Sequence, residues 1–117
     1  DPAELAREAA RTFGLVASVT GAVDHVSDGE RSAAVANGHE LLAAITGTGC
    51  MSTALTGCFL AGKADAFEAA AEALVAFGVA GEDAAAGARG PGSFHAALYD
   101  ALAALDPATL SGRARVS

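Results

Sequence analysis

The spacing of hydrophobic and polar positions predicts a helix followed by short strands in the first part of the chain. Residues 4–13 place apolar and charged side chains on opposite sides, as in an amphipathic helix. Gly14 is expected to end this helix. Leu15–Val19 is a short, mostly apolar run, which is typical of a buried parallel strand. Val23–Ser27 predicts a second strand.

The following pattern predicts a hairpin and then three helices. Asp28-Gly29 is a hairpin turn signal that leads into a third strand at Ser32–Ala36. Asn37-Gly38 marks another turn. The three helices are expected at about Cys50–Ala61, Ala66–Ala88 and Ser93–Leu105.

This order of elements predicts an α/β fold whose sheet is too small to be stable alone. The apolar helical surface implies further strands from elsewhere. We therefore predict that residues 1–117 are the C-terminal part of a single larger domain, with residues 110–117 as a flexible tail. Gly78 and Gly81 lie inside a predicted helix, where each costs about 1 kcal/mol relative to alanine. A close contact with a helix or with a nucleotide is expected to require them.

Composition and charge exclude several classes of function. The net charge is −7, with 14 acidic against 7 basic residues, which disfavours binding to nucleic acid or to an anionic membrane surface. Leu41–Gly62 carries no charge and is long enough to span a bilayer, but its Ser, Thr and Gly residues favour a turn and a buried helix. Cys50 and Cys58 lack metal-ligand spacing and favour free thiols in a reducing, cytoplasmic setting. The natural N-terminus is expected upstream of Asp1.

The most informative motif is Thr46-Gly47-Thr48-Gly49-Cys50, which follows a strand-like stretch and opens a run of small apolar residues. Its glycines let the backbone turn sharply and approach a ligand. The N–H groups of Gly49, Cys50 and Met51 are expected to be the unpaired donors of a helix N-terminus, where anions bind. The helix dipole favours the thiolate form of a cysteine at this position. The motif thus predicts a phosphoryl-transfer site, although a simple turn with a packed cysteine stays open on these residues alone.

Five segments of the chain match one enzyme family in order and near its spacing: Val19–Gly29, Asn37–His39, Thr46–Cys50, Gly78–Glu82 and Gly90–Phe94. They resemble hydroxyethylthiazole kinase, a thiamine-salvage member of the ribokinase-like superfamily. The resemblance covers nearly the whole chain but only about half of such an enzyme. It implies a ribokinase-like α/β sandwich, of which this chain supplies the C-terminal part, with few strands, a hairpin and three following helices.

The resemblance also implies a reaction. A family member would phosphorylate the hydroxyl of 4-methyl-5-(2-hydroxyethyl)thiazole with ATP, in thiamine biosynthesis or salvage. It would use Mg²⁺, form a homotrimer, and bind neither nucleic acid nor membrane. The metal-binding residues are expected upstream of Asp1, with none of them in this chain. The isolated chain is therefore expected to be inactive.

The resemblance assigns individual roles as well. Cys50 takes the position of the catalytic base, where many related kinases carry Asp. Gly47 would contact the thiazole substrate, and the anion hole would be formed by Gly47, Thr48, Gly49 and Cys50. Thr20 ends the presumed parallel strand and would contact ATP, with capping of a strand-end turn as the alternative.

Two other functions stay open. Hydroxymethylpyrimidine (phosphate) kinase also carries a Gly-Thr-Gly-Cys motif, although Thr20–Gly29 and Gly90–Phe94 favour the thiazole enzyme. A truncated, non-catalytic chain that only binds a ligand or a partner is the second. Among the remaining candidates, Cys58 is expected in the core and His39 is expected to order its loop.

Overall fold

A three-stranded antiparallel sheet and five α-helices make up the computed structural model, which describes all 117 residues. In chain order the elements are α1 (Pro2–Phe13), β1 (Ala17–Val19), β2 (Asp24–Ser27), β3 (Ser32–Val35), a 3-10 helix (Glu40–Ala43), α2 (Thr48–Gly62), α3 (Ala66–Ala86), α4 (Pro91–Ala103) and α5 (Pro107–Arg113). The predicted α/β class is confirmed. A fourth helix, α5, follows the three that were expected after the hairpin.

The sheet has the order β1-β2-β3. The predicted hairpin is confirmed, with Ser27 of β2 opposite Ser32 of β3. β1 runs antiparallel to β2 with Ser18 opposite Val26, whereas the other edge of β1 has no strand neighbour in this chain, so its parallel pairing stays a prediction. The physical reason for the antiparallel pairing is the short connection, since two strands joined by a tight turn run antiparallel.

Helix α1 begins and ends at the expected signals. The Asp1 carboxylate accepts a hydrogen bond from the Ala3 N–H at 3.0 Å. Gly14 ends the helix in the left-handed conformation, with φ of 64°, as predicted. The helix packs on the strands through its buried Ala6 and Ala10.

Helix α3 is the centre of the molecule. One side packs with Val26 and Val35 of the sheet, and the other with Phe94 and Leu98 of α4. At Gly78 an added Cβ would lie 2.6 Å from the backbone of Asn37, so no side chain fits there. A close contact does require glycine at this position, but its partner is the loop after β3 and not the helix or nucleotide that was expected.

Helix α2 is apolar yet buries none of its residues. Met51 and Leu55 pack partly against the cluster formed by α3 and α4, whereas Leu60 is 44% exposed. Cys58 is also exposed, so its predicted place in the core is wrong. No other element of the chain covers the outer side of α2. None of the helices combines the length and the apolar character needed to cross a membrane.

The last residues differ from the expected flexible tail. Pro107 and a side-chain cap from Asp106 begin α5. Beyond it, Ser117 exchanges two backbone hydrogen bonds with Ala34, at 2.8 and 2.9 Å. Val116 forms a bridge with Val35, so this segment lies along the outer edge of β3. Composition could not reveal this pairing because the partner strand lies about eighty positions earlier.

Candidate active site

The N-terminus of α2 carries free backbone donors. Gly47 is its N-cap and has a φ of 97°, so this turn requires a glycine. No side chain caps the helix, and the N–H groups of Thr48, Gly49 and Cys50 have no acceptor in the chain. The Met51 N–H donates to the Gly47 carbonyl at 2.9 Å. The predicted row of donors is therefore correct for Gly49 and Cys50 and wrong for Met51, because the helix begins at Thr48.

The segment before this turn is a 3-10 helix, so the expected strand-like lead into the motif is wrong. The Leu41 N–H donates to the His39 ring nitrogen Nδ1 at 3.1 Å, which caps the 3-10 helix. This contact gives His39 a loop-ordering position. The Thr48 hydroxyl donates to the Leu42 carbonyl at 3.0 Å. This bond ties the 3-10 helix to the first residue of α2.

An open cleft of about 580 Å³ brings these elements together. Its wall includes Thr20 at the end of β1, the loop Asn37–Glu40, and Thr48 with Gly49 at the start of α2. Residues from α3 also line it: Leu74, Phe77 and Gly78. The structure thus places three sequence-predicted site residues, Thr20, Thr48 and Gly49, on one cleft.

The other two predicted site residues lie beside the cleft. Gly47 and Cys50 flank the lining pair Thr48 and Gly49 and are both exposed. The Cys50 N–H belongs to the row of free donors at the helix end. The thiol is therefore accessible to a molecule that approaches this helix end.

Gly49 has no structural reason within the chain to be a glycine. Its φ is not in the left-handed region, and an added Cβ would meet no atom within 4 Å. It lines the cleft, where a missing side chain leaves the neighbouring N–H groups open. This is the arrangement expected where a ligand lies close to the backbone.

A carboxylate lies on the same cleft. Asp24 at the start of β2 accepts a hydrogen bond from the Gly21 N–H at 2.9 Å, which fixes the turn after Thr20. Partial burial raises the pKa of Asp24, and the hydrogen bond from Gly21 opposes that shift. No three His, Cys, Asp or Glu side chains of the chain come together as metal ligands.

Sequence reasoning missed one residue behind the cleft wall. The Glu82 carboxylate of α3 accepts hydrogen bonds from the Gly38 N–H at 3.0 Å and from the Asn37 amide at 3.2 Å. An acidic residue directly after the helix glycines Gly78 and Gly81 was the available signal, because it lies on the side of α3 that meets the loop.

Residues 1–108 match the sequence pattern of the Hydroxyethylthiazole kinase family. The chain belongs to this family. Two hydroxyethylthiazole kinases illustrate the relationship: that of Rubrobacter xylanophilus is 57% identical over 99% of this chain, and that of Methanoculleus marisnigri is 53% identical over 99%. The chain covers 45% and 42% of those two proteins, so it spans just under half the length of the relatives it matches.

The hydroxyethylthiazole kinase of Pyrococcus horikoshii has a solved structure that matches this chain with a TM-score of 0.92 at 50% identity. The match covers 98% of this chain and 45% of that protein. The predicted family and the ribokinase-like α/β fold are thus confirmed, with the three strands and five helices corresponding to part of a hydroxyethylthiazole kinase.

Proposed function

We propose that this chain supplies part of the active site of a kinase that transfers a phosphoryl group from ATP to the hydroxyl of 4-methyl-5-(2-hydroxyethyl)thiazole, in thiamine biosynthesis or salvage. One observation carries the proposal. Thr20 and the uncapped N-terminus of α2 are far apart in sequence yet line one cleft. A helix N-terminus with free N–H groups favours bound phosphate. Membership of the kinase family supports the assignment to this reaction.

The free donors would act on the transferring phosphoryl group. The thiazole hydroxyl oxygen attacks the γ-phosphorus of ATP, and the bond between that phosphorus and the oxygen of the leaving ADP breaks. The N–H groups of Thr48, Gly49 and Cys50 are available to stabilise the charge on the phosphoryl oxygens. Thr20 would contact ATP, and the backbone at Gly47 would contact the thiazole.

Cys50, in its thiolate form, would accept the proton that the thiazole hydroxyl loses and become the neutral thiol. Its thiol is free and exposed beside the phosphate donors, which supports this role. Positioning and charge stabilisation supply most of the rate in phosphoryl transfer, so a weak base suffices. Mg²⁺, held by residues outside this chain, would neutralise charge on the ATP phosphates when bound.

The proposal extends to the architecture of the complete protein. Residues 1–117 would form the C-terminal part of one ribokinase-like domain that assembles as a homotrimer. The uncovered apolar side of α2 supports a further polypeptide surface against this chain. Two free thiols support a cytoplasmic location, where thiols stay reduced.

The test is ADP release by the complete polypeptide that contains this chain, with Mg-ATP and one alcohol at a time. Turnover with the thiazole alcohol and none with hydroxymethylpyrimidine is the expected result. Turnover only with the pyrimidine would transfer the assignment to hydroxymethylpyrimidine kinase. No turnover with either alcohol, with ATP still bound, would favour a non-catalytic binding protein.

A further inference from the structure

A buried amide joins the cleft loop to the last residues of the chain. Asn37 is only 5% exposed. Its Nδ2 group donates to the Arg113 carbonyl at 2.9 Å, and its Oδ1 accepts from the Arg115 N–H at 2.8 Å. Undocking of the segment Arg113–Ser117 would remove two of the three hydrogen bonds of this buried amide and leave only the one to Glu82, which is costly.

Glu82 lies at the centre of the same contacts. Its side chain is 19% exposed and its Oε1 accepts from the Gly38 N–H at 3.0 Å. The Arg115 guanidinium donates to that oxygen at 2.8 Å, and Arg113 lies 3.4 Å from Oε2. Two cations thus balance a partly buried carboxylate that is also hydrogen-bonded to the cleft loop.

The residues that make these contacts are connected to the cleft through the loop at Asn37 and Gly38. Asn37 and Gly38 line the cleft directly. On the side of α3, the loop lies so close to Gly78 that a Cβ added there would come within 2.6 Å of Asn37. The 3-10 helix that follows the loop is bound to α2 through the Leu42 carbonyl and the Thr48 hydroxyl. A displacement of Gly38 would therefore change the wall that Thr20 and Thr48 share.

We propose that Glu82 is a positioning residue that couples docking of the segment Arg113–Ser117 to the affinity of the cleft for ATP. The proposal rests on the function proposed above. It adds a role for residues 113–117, which lie beyond the stretch 1–108 that matches the family pattern. Glu82 itself does not line the cleft and acts through Gly38 and Asn37.

The experiment compares Glu82→Ala with Asp83→Asn in the complete polypeptide. Asp83 is the neighbouring acid, and it also pairs with Arg113, at 2.8 Å, but it is exposed and has no hydrogen bond to the cleft loop. Glu82→Ala is expected to raise the KM for ATP about tenfold with kcat changed less than about twofold, as for the loss of a hydrogen bond to a charged group. Asp83→Asn is expected to leave both constants within about twofold of the unmodified enzyme, as for an exposed ion pair.

Two further variants separate positioning from general stability. Glu82→Gln keeps an oxygen acceptor for the Gly38 N–H and is expected to recover most of the affinity for ATP. Arg115→Ala removes the guanidinium contact and is expected to raise the KM in the same direction as Glu82→Ala. If Glu82→Ala does not fold, these two variants carry the same test.

Amide hydrogen exchange gives a readout that does not depend on catalysis. In Glu82→Ala, exchange at Gly38 and in residues 113–117 is expected to become faster, with α4 unchanged. If the unmodified polypeptide shows no kinase activity, the proposed function fails while exchange still decides the coupling. Unchanged exchange at Gly38, a loss of kcat at constant KM, or an equal effect of Asp83→Asn would overturn the proposal.

Discussion

Helices α2 and α3 are both rich in small apolar residues, yet they differ in burial and in the capping of their N-termini. Every residue from Ala73 to Gly81 in α3 is buried, whereas α2 has no buried residue. Their N-termini differ as well. Asp65 caps α3 by accepting from the Phe67 and Glu68 N–H groups, at 3.0 and 3.3 Å, whereas no side chain caps α2. Helix α3 is thus the buried scaffold, whereas α2 is exposed and leaves its N-terminal N–H groups without an acceptor in the chain.

The largest expected effect is a loss of kcat on substitution of Cys50 in the exposed helix α2. Cys50→Ala in the complete polypeptide should reduce kcat by about 10²–10⁴-fold, the usual contribution of a positioned base, with little change in substrate affinity. Cys50→Asp should keep activity because a carboxylate can accept the same proton. Steady-state kinetics with Mg-ATP and the thiazole alcohol measures both.

Cys58→Ala is the matched control for that experiment, because it removes a second exposed thiol from the same helix. It should leave kcat unchanged. An unchanged kcat in Cys50→Ala, or an equal loss in Cys58→Ala, would remove Cys50 from the mechanism.

The next largest expected effect is a loss of stability on substitution of Gly78 in the buried helix α3. Gly78→Ala forces a Cβ to within 2.6 Å of Asn37, and it should lower the free energy of unfolding by about 1–3 kcal/mol, as overpacking does. Urea unfolding of the complete polypeptide measures this change. A neutral result would mean that the loop moves away from α3 without cost.

Gly57→Ala in α2 is the control for Gly78→Ala, since its added Cβ meets no atom within 4 Å. It should leave the chain equally stable or stabilise it by up to about 1 kcal/mol through helix propensity. Destabilisation of the complete polypeptide by this substitution would show that the remaining polypeptide covers that side of α2.

Gly49→Ala should affect binding but not folding. The free space around Gly49 predicts no loss of stability, while the added methyl group stands among the free N–H donors of the cleft. We expect the KM for ATP to rise about tenfold, the cost of roughly one charge-assisted hydrogen bond. A thermal unfolding midpoint below that of the parent would contradict the contrast between Gly49 and Gly78.

The smallest effect concerns acid stability at the start of α3. Hydrogen bonds from the Arg31 backbone and side chain, and from Glu30, lower the pKa of Asp28 from 3.8 to about 2, and the Arg31 side chain lowers the pKa of Asp65. Both carboxylates are thus more acidic folded than unfolded. Their stabilisation is complete above about pH 4 and is lost as the pH falls towards 2.

Urea midpoints between pH 5 and pH 2 measure this acid dependence. Asp28→Asn should reduce the slope of stability with pH in that window. An unchanged slope would mean that the Arg31 contacts do not persist in solution.

Local signals predicted much of this molecule because they act over a few residues. Asp28-Gly29 specified the hairpin, Gly14 ended α1, and the spacing of Gly47 and Gly49 located the start of α2 within two residues. Long-range partners could not be read in the same way. The exposure of Cys58 and the pairing of Val116 with Val35 both depend on which distant element lies alongside.

In the candidate site, too, the local features could be predicted from the sequence and the long-range contacts could not. The motif Thr46–Cys50 identified the donors from local backbone rules, with an error of one residue at Met51. The joining of Thr20 to those donors came from family resemblance rather than from periodicity. Glu82 was missed because its role depends on contacts with Gly38 and Arg115, on two other parts of the chain.

The pairing of Ser117 with Ala34 has a consequence for how the sheet can grow. With the outer edge of β3 occupied, β1 is the side of the sheet whose backbone groups have no neighbouring strand. An added strand, whether from the same polypeptide or another, would dock beside Ala17–Val19. Within this chain, the strand that leads to Thr20 is therefore an open edge where the sheet can grow.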